Sequence, residues 1–172
     1  MNDETLSRER ADLLESLATH RFFLRNTCRD LDDEQAARRT TVSELCLGGL
    51  VKHVTLMERN WRGFIERGAS AMPDWQEPST MEQFTNSFRM LDGETLTGLL
   101  AAYDAEASRT DELIRALPDL DAAHLLPEAP WFPPGASWSA RRVLLHLIGE
   151  TTQHAGHADI IREALDGAKS MG

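Results

Sequence analysis

The chain has 172 residues, 41% apolar and 27% charged, with a formal net charge of −10. That length and balance describe one globular domain with enough apolar residues for a core. The acidic charge excludes a basic stripe for nucleic acid and disfavours a membrane surface, and no run approaches the roughly 20 apolar residues of a transmembrane helix.

The N-terminus, MNDETLSRERADLLE, is too charged for a secretory signal, so a cytoplasmic protein is expected. A first helix is predicted over Asn2–Arg29, where Leu6, Leu13, Leu17 and Leu24 recur at helical spacing. Arg10 and Arg21 interrupt that stripe as snorkelling edge residues, with a cavity-facing role as the alternative for Arg21. The acidic segment Asp30–Gln35 ends the helix. A second helix starts near Ser43, an N-cap candidate, and stops at Gly68. The connection Ala69–Gly93 follows, with a short helical turn at Thr80–Phe88. A third helix spans Glu94–Leu117 and stops before Pro118. The connection Pro118–Ala136 carries four prolines around Trp131 and Phe132, read as a plug over the bundle end, with a pocket wall as the other reading. A fourth helix starts at Ser137 or Ser139 and ends at Gly167. The expected fold is all-α: a single four-helix bundle over residues 1–167 with long crossover loops, arranged up-down-down-up, and a flexible tail at 168–172.

Helical-wheel positions put His53 within about 60° of Val42, Cys46, Leu50, Met57 and Phe64, and put Glu44, Glu58, Arg62 and Glu66 on the far side. In the fourth helix, Glu150 and His154 share the stripe of Val143, Leu147, Ile161 and Leu165, while Arg141, Asp159 and Arg162 point elsewhere. A carboxylate in an apolar stripe needs a partner. Glu150 and His154, at i and i+4, emerge side by side, and a histidine from a facing helix would complete three ligands with an open position, the catalytic pattern. The donor set suits a divalent metal, zinc first, with nickel, iron and manganese also compatible. Against this stand a hydrogen-bonded core histidine at His53 and a plain helical side-chain pair at Glu150–His154. His146 and His157 share the stripe; His157 is an alternative ligand, and an outer hydrogen-bonding partner is the better reading. His20 is a weak candidate, and His124 is expected in solvent. Cys28 and Cys46 have no metal or redox spacing and are expected to be reduced and buried.

The segments LCLGGLVKHVTLMERNW (Leu45–Trp61) and VLLHLIGETTQHAGHADIIREALDG (Val143–Gly167) resemble the DinB/YfiT-like superfamily, nearest to its mycothiol-dependent branch. The usual triad there is three histidines, whereas the mycothiol-dependent maleylpyruvate isomerases and related thiol transferases use His, Glu and His. The resemblance implies a four-helix bundle and places the metal ligands at His53, Glu150 and His154. It also implies a low-molecular-weight thiol as co-substrate and a small electrophilic molecule as its acceptor. The isomerases carry a further C-terminal domain, so that particular activity is not expected of a sequence ending at Gly172. No residue beyond the ligands is assigned to catalysis; His157, His146 and Arg21 are candidates for support or substrate contact. A thiol S-transferase is therefore the leading expectation. A hydrolase using metal-activated water, and a non-catalytic metal-binding helical homodimer, are the alternatives.

Overall fold

The computed structural model describes residues 6–170. Four long helices make the bundle: α1 (Arg8–Asn26), α3 (Leu47–Arg67), α5 (Leu96–Ala116) and α6 (Ala140–Asp166). Short helices α2 (Asp33–Ala37) and α4 (Pro78–Ser87), a 3-10 turn at Gly68–Ala71, and strands β1 (Ala123–Leu125) and β2 (Ser137–Ser139) occupy the connections. Among the described residues no helix is long and apolar enough to cross a membrane.

Caps explain the boundaries. Ser7, Thr95 and Ser139 each accept a backbone N–H three residues on, and Gly167 closes α6 in the left-handed conformation at φ 81°. Helix α1 thus begins at Arg8; the expected start over residues 2–5 lies outside the described residues. Its end comes three residues early, at Asn26 rather than Arg29. The expected start of the second helix at Ser43 is corrected to Leu47, with Cys46 as N-cap: Thr41 and Ser43 hydrogen-bond each other and nearby backbone instead of opening a helix. Val42 is consequently exposed and not part of the core stripe. The acidic segment taken as a helix end carries α2, closed by a reciprocal capping box between Asp32 and Gln35. Residues 168–170, expected as a loose tail, lie against α1 and α6: Arg29 donates to the Lys169 carbonyl at 3.0 Å, and Ser170 N–H to Asp159 at 2.7 Å.

Ion pairs fix the helix directions. Between α1 and α5, Arg21 meets Asp111 and Arg25 meets Asp104, one index rising as the other falls, so the helices are antiparallel. Between α1 and α6, Glu9 meets Arg141 and Thr27 meets Arg162, so these are parallel. Lys52–Glu94 and Arg62–Glu106 make α3 and α5 parallel. The chain therefore runs up-down-down-up. Two successive parallel helices require the connection between them to return along the bundle, roughly 30 Å for 21 residues, and residues 68–95 make that return with α4 as a strut.

The core has two apolar regions. Leu24, Leu50, Val54 and Ile161 belong to one, and Leu17, Phe64, Ile114 and Leu144 to the other. Polar side chains are also buried in the bundle, including Arg21, His53, Glu58, Glu106, Thr151 and His154. The sequence placed Glu58 and Arg162 away from the core, and both are buried. Helix α3 packs on both α5 and α6, so its buried arc is wider than one stripe, and Arg162 donates to the Thr27 and Arg29 carbonyls that end α1.

Candidate metal centre

His53 on α3 and Glu150 and His154 on the antiparallel α6 converge: one ligand atom from each lies within 4.8 Å of the other two. The Glu150 Oε2 to His154 Nε2 distance is 3.6 Å. Ligands about 2.0–2.2 Å from a tetrahedral ion sit about 3.3–3.6 Å from one another, so this pair is already spaced for a shared ion and His53 needs only a small side-chain rotation. Two imidazoles and a carboxylate are a donor set a divalent ion accepts.

The hydrogen bonds behind the imidazoles favour that use. The Ser87 hydroxyl, at the end of α4, donates its proton to the Phe84 carbonyl at 2.6 Å. Its oxygen then accepts from His53 Nδ1–H at 2.9 Å, which leaves Nε2 as the lone-pair nitrogen. Phe88 stacks on the His53 ring at 3.9 Å and 22°. His154 Nδ1 faces His157 Nδ1 at 3.4 Å, so the His154 ring is backed by a second imidazole. His146 Nε2 stands 3.9 Å from Glu150 Oε1, across from His154. Glu150 is thus bracketed by imidazoles and has no lysine or arginine in bridging distance among the described residues.

Burial, then the neighbouring His154, pushes the His53 pKa down to about 4, and burial lowers that of His146. The facing His154 is the largest influence holding the Glu150 carboxyl below the usual carboxylate range. At neutral pH His53 is therefore a neutral imidazole and Glu150 an anion, the protonation states metal binding needs of them.

Approach of the crossover to His53 depends on Gly49. A Cβ there would lie 2.0 Å from the Phe88 carbonyl oxygen, so only glycine lets the residues after α4 cross the start of α3. Sequence reasoning missed Ser87, Phe84 and Phe88: a serine at the end of a short loop helix carries no periodicity linking it to a histidine 34 positions away. The Gly48-Gly49 pair was the only local signal of a close crossing.

Above the trio opens a cavity of about 430 Å³, lined by His53, His146 and Glu150 at its polar end. The hairpin of β1 and β2 pairs Ala123 with Ser139 and Leu125 with Ser137, and projects Trp131 and Phe132 onto the cavity. The Trp131 loop is thus a cavity wall, not the expected plug; the strands went unread because each has three residues and no full alternation. His124, expected in solvent, lies 3.2 Å from the Ile65 carbonyl and edge-on to Phe64. Arg21 is not in this site. It is buried in an ion pair with Glu58 at 2.5 Å and a second with Asp111 at 2.8 Å, which corrects the substrate-contact reading. Both cysteines are buried and free, and burial raises the Cys28 pKa to about 11, away from reactivity.

An all-α bundle that gathers two histidines and a glutamate from two antiparallel helices is DinB-like in class. The chain belongs to the mycothiol-S-transferase family, whose profile matches residues 12–167. No curated protein matches it.

Proposed function

We propose that the protein is a metal-dependent thiol S-transferase in which His53, Glu150 and His154 hold a divalent ion, zinc in the first instance, and a low-molecular-weight thiol of the mycothiol kind is the co-substrate. The observation that carries this reading is the convergence of the three donors, two of which, His53 and Glu150, line a cavity, with the Ser87 bond leaving His53 Nε2 as the lone-pair nitrogen. The family match supplies the thiol.

A divalent ion at this position supplies Lewis-acid chemistry that lowers the pKa of a thiol brought to its open side. The chain's own residues do the rest. Ser87 and His157 hold the two imidazoles in orientation, and Glu150 contributes the one negative charge of the set. The aromatic lining excludes water from the reacting atoms, which keeps the thiol sulfur as the nucleophile. The sulfur forms a bond to an electrophilic carbon, the leaving group departs with its bonding electron pair, and the thiol proton passes to solvent. No protein nucleophile is needed, in keeping with two buried cysteines.

Elemental analysis of purified protein is expected to find about one divalent ion per chain, absent from His53→Ala and His154→Ala. With mycothiol present, the protein is expected to arylate the thiol with an activated haloarene, releasing halide, and to lose that activity in both variants. Ester or amide hydrolysis without thiol dependence would replace this reading with a hydrolase. Absence of turnover in the metal-loaded protein with any thiol or ester, with stability unchanged by metal removal, would replace it with a non-catalytic helical module, a homodimer being the arrangement to test by sedimentation.

A further inference from the structure

Every tryptophan in the chain, four in all, lines the cavity above the trio. They come from separate parts of the sequence: Trp61 from α3, Trp75 from the crossover, Trp131 and Trp138 from the hairpin. Trp61 and Trp138 stack at 4.9 Å and 16°, forming one flat double layer. Trp75 and Trp131 meet edge to face at 5.2 Å, so the two long connections close on each other at the cavity. Met57, Met72 and Met81 add polarizable, adaptable surface. The volume, about 430 Å³, lies in the range of small-molecule sites.

The charge of the lining is as informative as its shape. Among the described residues Glu150 is its one carboxylate, and no lysine or arginine lines the cavity. Arg142 lies 4.4 Å from the Trp138 ring centre in a cation–π contact and is not part of the lining. An anionic ligand would therefore leave water without a cation to receive it beyond the metal position. One polar group is unpaired: Trp61 is 3% exposed and its Nε1–H has no hydrogen-bond partner. Trp61 lies eight residues from His53 on the same helix, about 12 Å along the axis, with Met57 and Asn60 between them on the lining. The indole nitrogen is itself inaccessible, so what Trp61 offers a ligand is the surface of its ring.

We infer that the electrophilic substrate is an uncharged, flat aromatic molecule, its ring against the tryptophan walls. This rests on the cavity being the electrophile site of the transferase proposed above. Anionic and purely aliphatic electrophiles are excluded from it by charge and by shape.

The test is calorimetric binding to the zinc-loaded protein in the absence of any thiol, with 2-acetonaphthone, naphthalene and naphthalene-2-sulfonate as probes. The ketone is expected to bind at least about tenfold more tightly than the sulfonate. Trp131→Ala, an exposed loop position, is expected to weaken ketone and naphthalene alike by about tenfold. Equal or tighter binding of the sulfonate, or ketone binding indifferent to Trp131→Ala, would overturn the inference. Binding is read without turnover, so the two readings fail separately: tight ketone binding with no thiol-dependent conversion of the haloarene sinks the transferase, while thiol-dependent conversion confined to anionic electrophiles sinks the substrate class.

Discussion

The bundle buries carboxylates in two ways. Glu58 and Glu106 are almost fully inaccessible, and arginines neutralise both: Arg21 bonds Glu58, while Arg62, Arg59 and Arg109 surround Glu106. Glu150 is a quarter exposed on its side chain and faces only imidazoles, at 3.6 and 3.9 Å. An arginine-paired carboxylate has its counter-charge built in and ties helices together. A carboxylate flanked by imidazoles, with no arginine or lysine beside it, has no permanent counter-charge, and a shared divalent cation would supply one. The difference separates a structural carboxylate from a ligand in a single fold.

The strongest way to break that contrast is to remove the built-in charge. Arg21→Met leaves Glu58 buried without its partner and is expected to cost about 3–5 kcal/mol in urea unfolding. Metal content per folded chain should not change. Adding Glu58→Leu is expected to restore most of the loss, because an apolar pair of similar volume avoids the desolvation of two ions. If Arg21→Met abolished metal binding in folded protein, the two kinds of carboxylate would not be independent.

The converse substitution, Glu150→Gln, is expected to lower zinc affinity by more than about a hundredfold in chelator competition while leaving metal-free stability nearly intact, since no ion pair is broken. Strong destabilisation would move Glu150 into the structural group.

Acid titration sharpens the comparison on the imidazole side. The folded-state pKa of His53, about 4, lies below the ordinary 6.5, burial being the first cause and His154 the second. Between those values the unfolded chain binds a proton that the folded chain does not. Metal-free stability from this group is therefore complete above about pH 6.5 and falls as pH drops toward 4, by on the order of 3 kcal/mol. Unfolding followed at about pH 7.5 and about pH 4.5 should show the loss, and His53→Gln should remove its share of it. A stability unchanged over that window would show that His53 is not buried as a neutral group.

The smallest effect concerns orientation. Ser87→Ala removes the acceptor that fixes the His53 ring and is expected to weaken zinc about 10–100-fold, with Ser87→Thr recovering most of it. The direct readout is zinc affinity rather than turnover.

The up-down-down-up order was legible in the two long connections. The long helices and the grouping of the trio on two apolar stripes were legible in the sequence because both depend on periodicity: His53 and the Glu150–His154 pair fall where leucines recur. Glu58 was misplaced for the same reason. One wheel has one inside, whereas α3 presents separate arcs to α5 and α6. The helix start at Leu47 was hidden because Ser43 and Cys46 are both able to cap, and the Thr41–Ser43 hydrogen bond decides between them only in three dimensions. Ser87, Phe88 and the tryptophan walls reach the site through chain crossings, which leave little trace in local pattern beyond Gly49.

Because α3 and α5 run the same way, residues 68–95 travel the length of the molecule and pass over the trio as they go. The three candidate ligands sit on two long helices, while much of what lines the cavity beside them sits on that passage and on the hairpin. Chemistry and choice of reactant are thus written on different parts of the chain. A new lining can be fitted to an old reaction by rewriting connections, with no helix repacked.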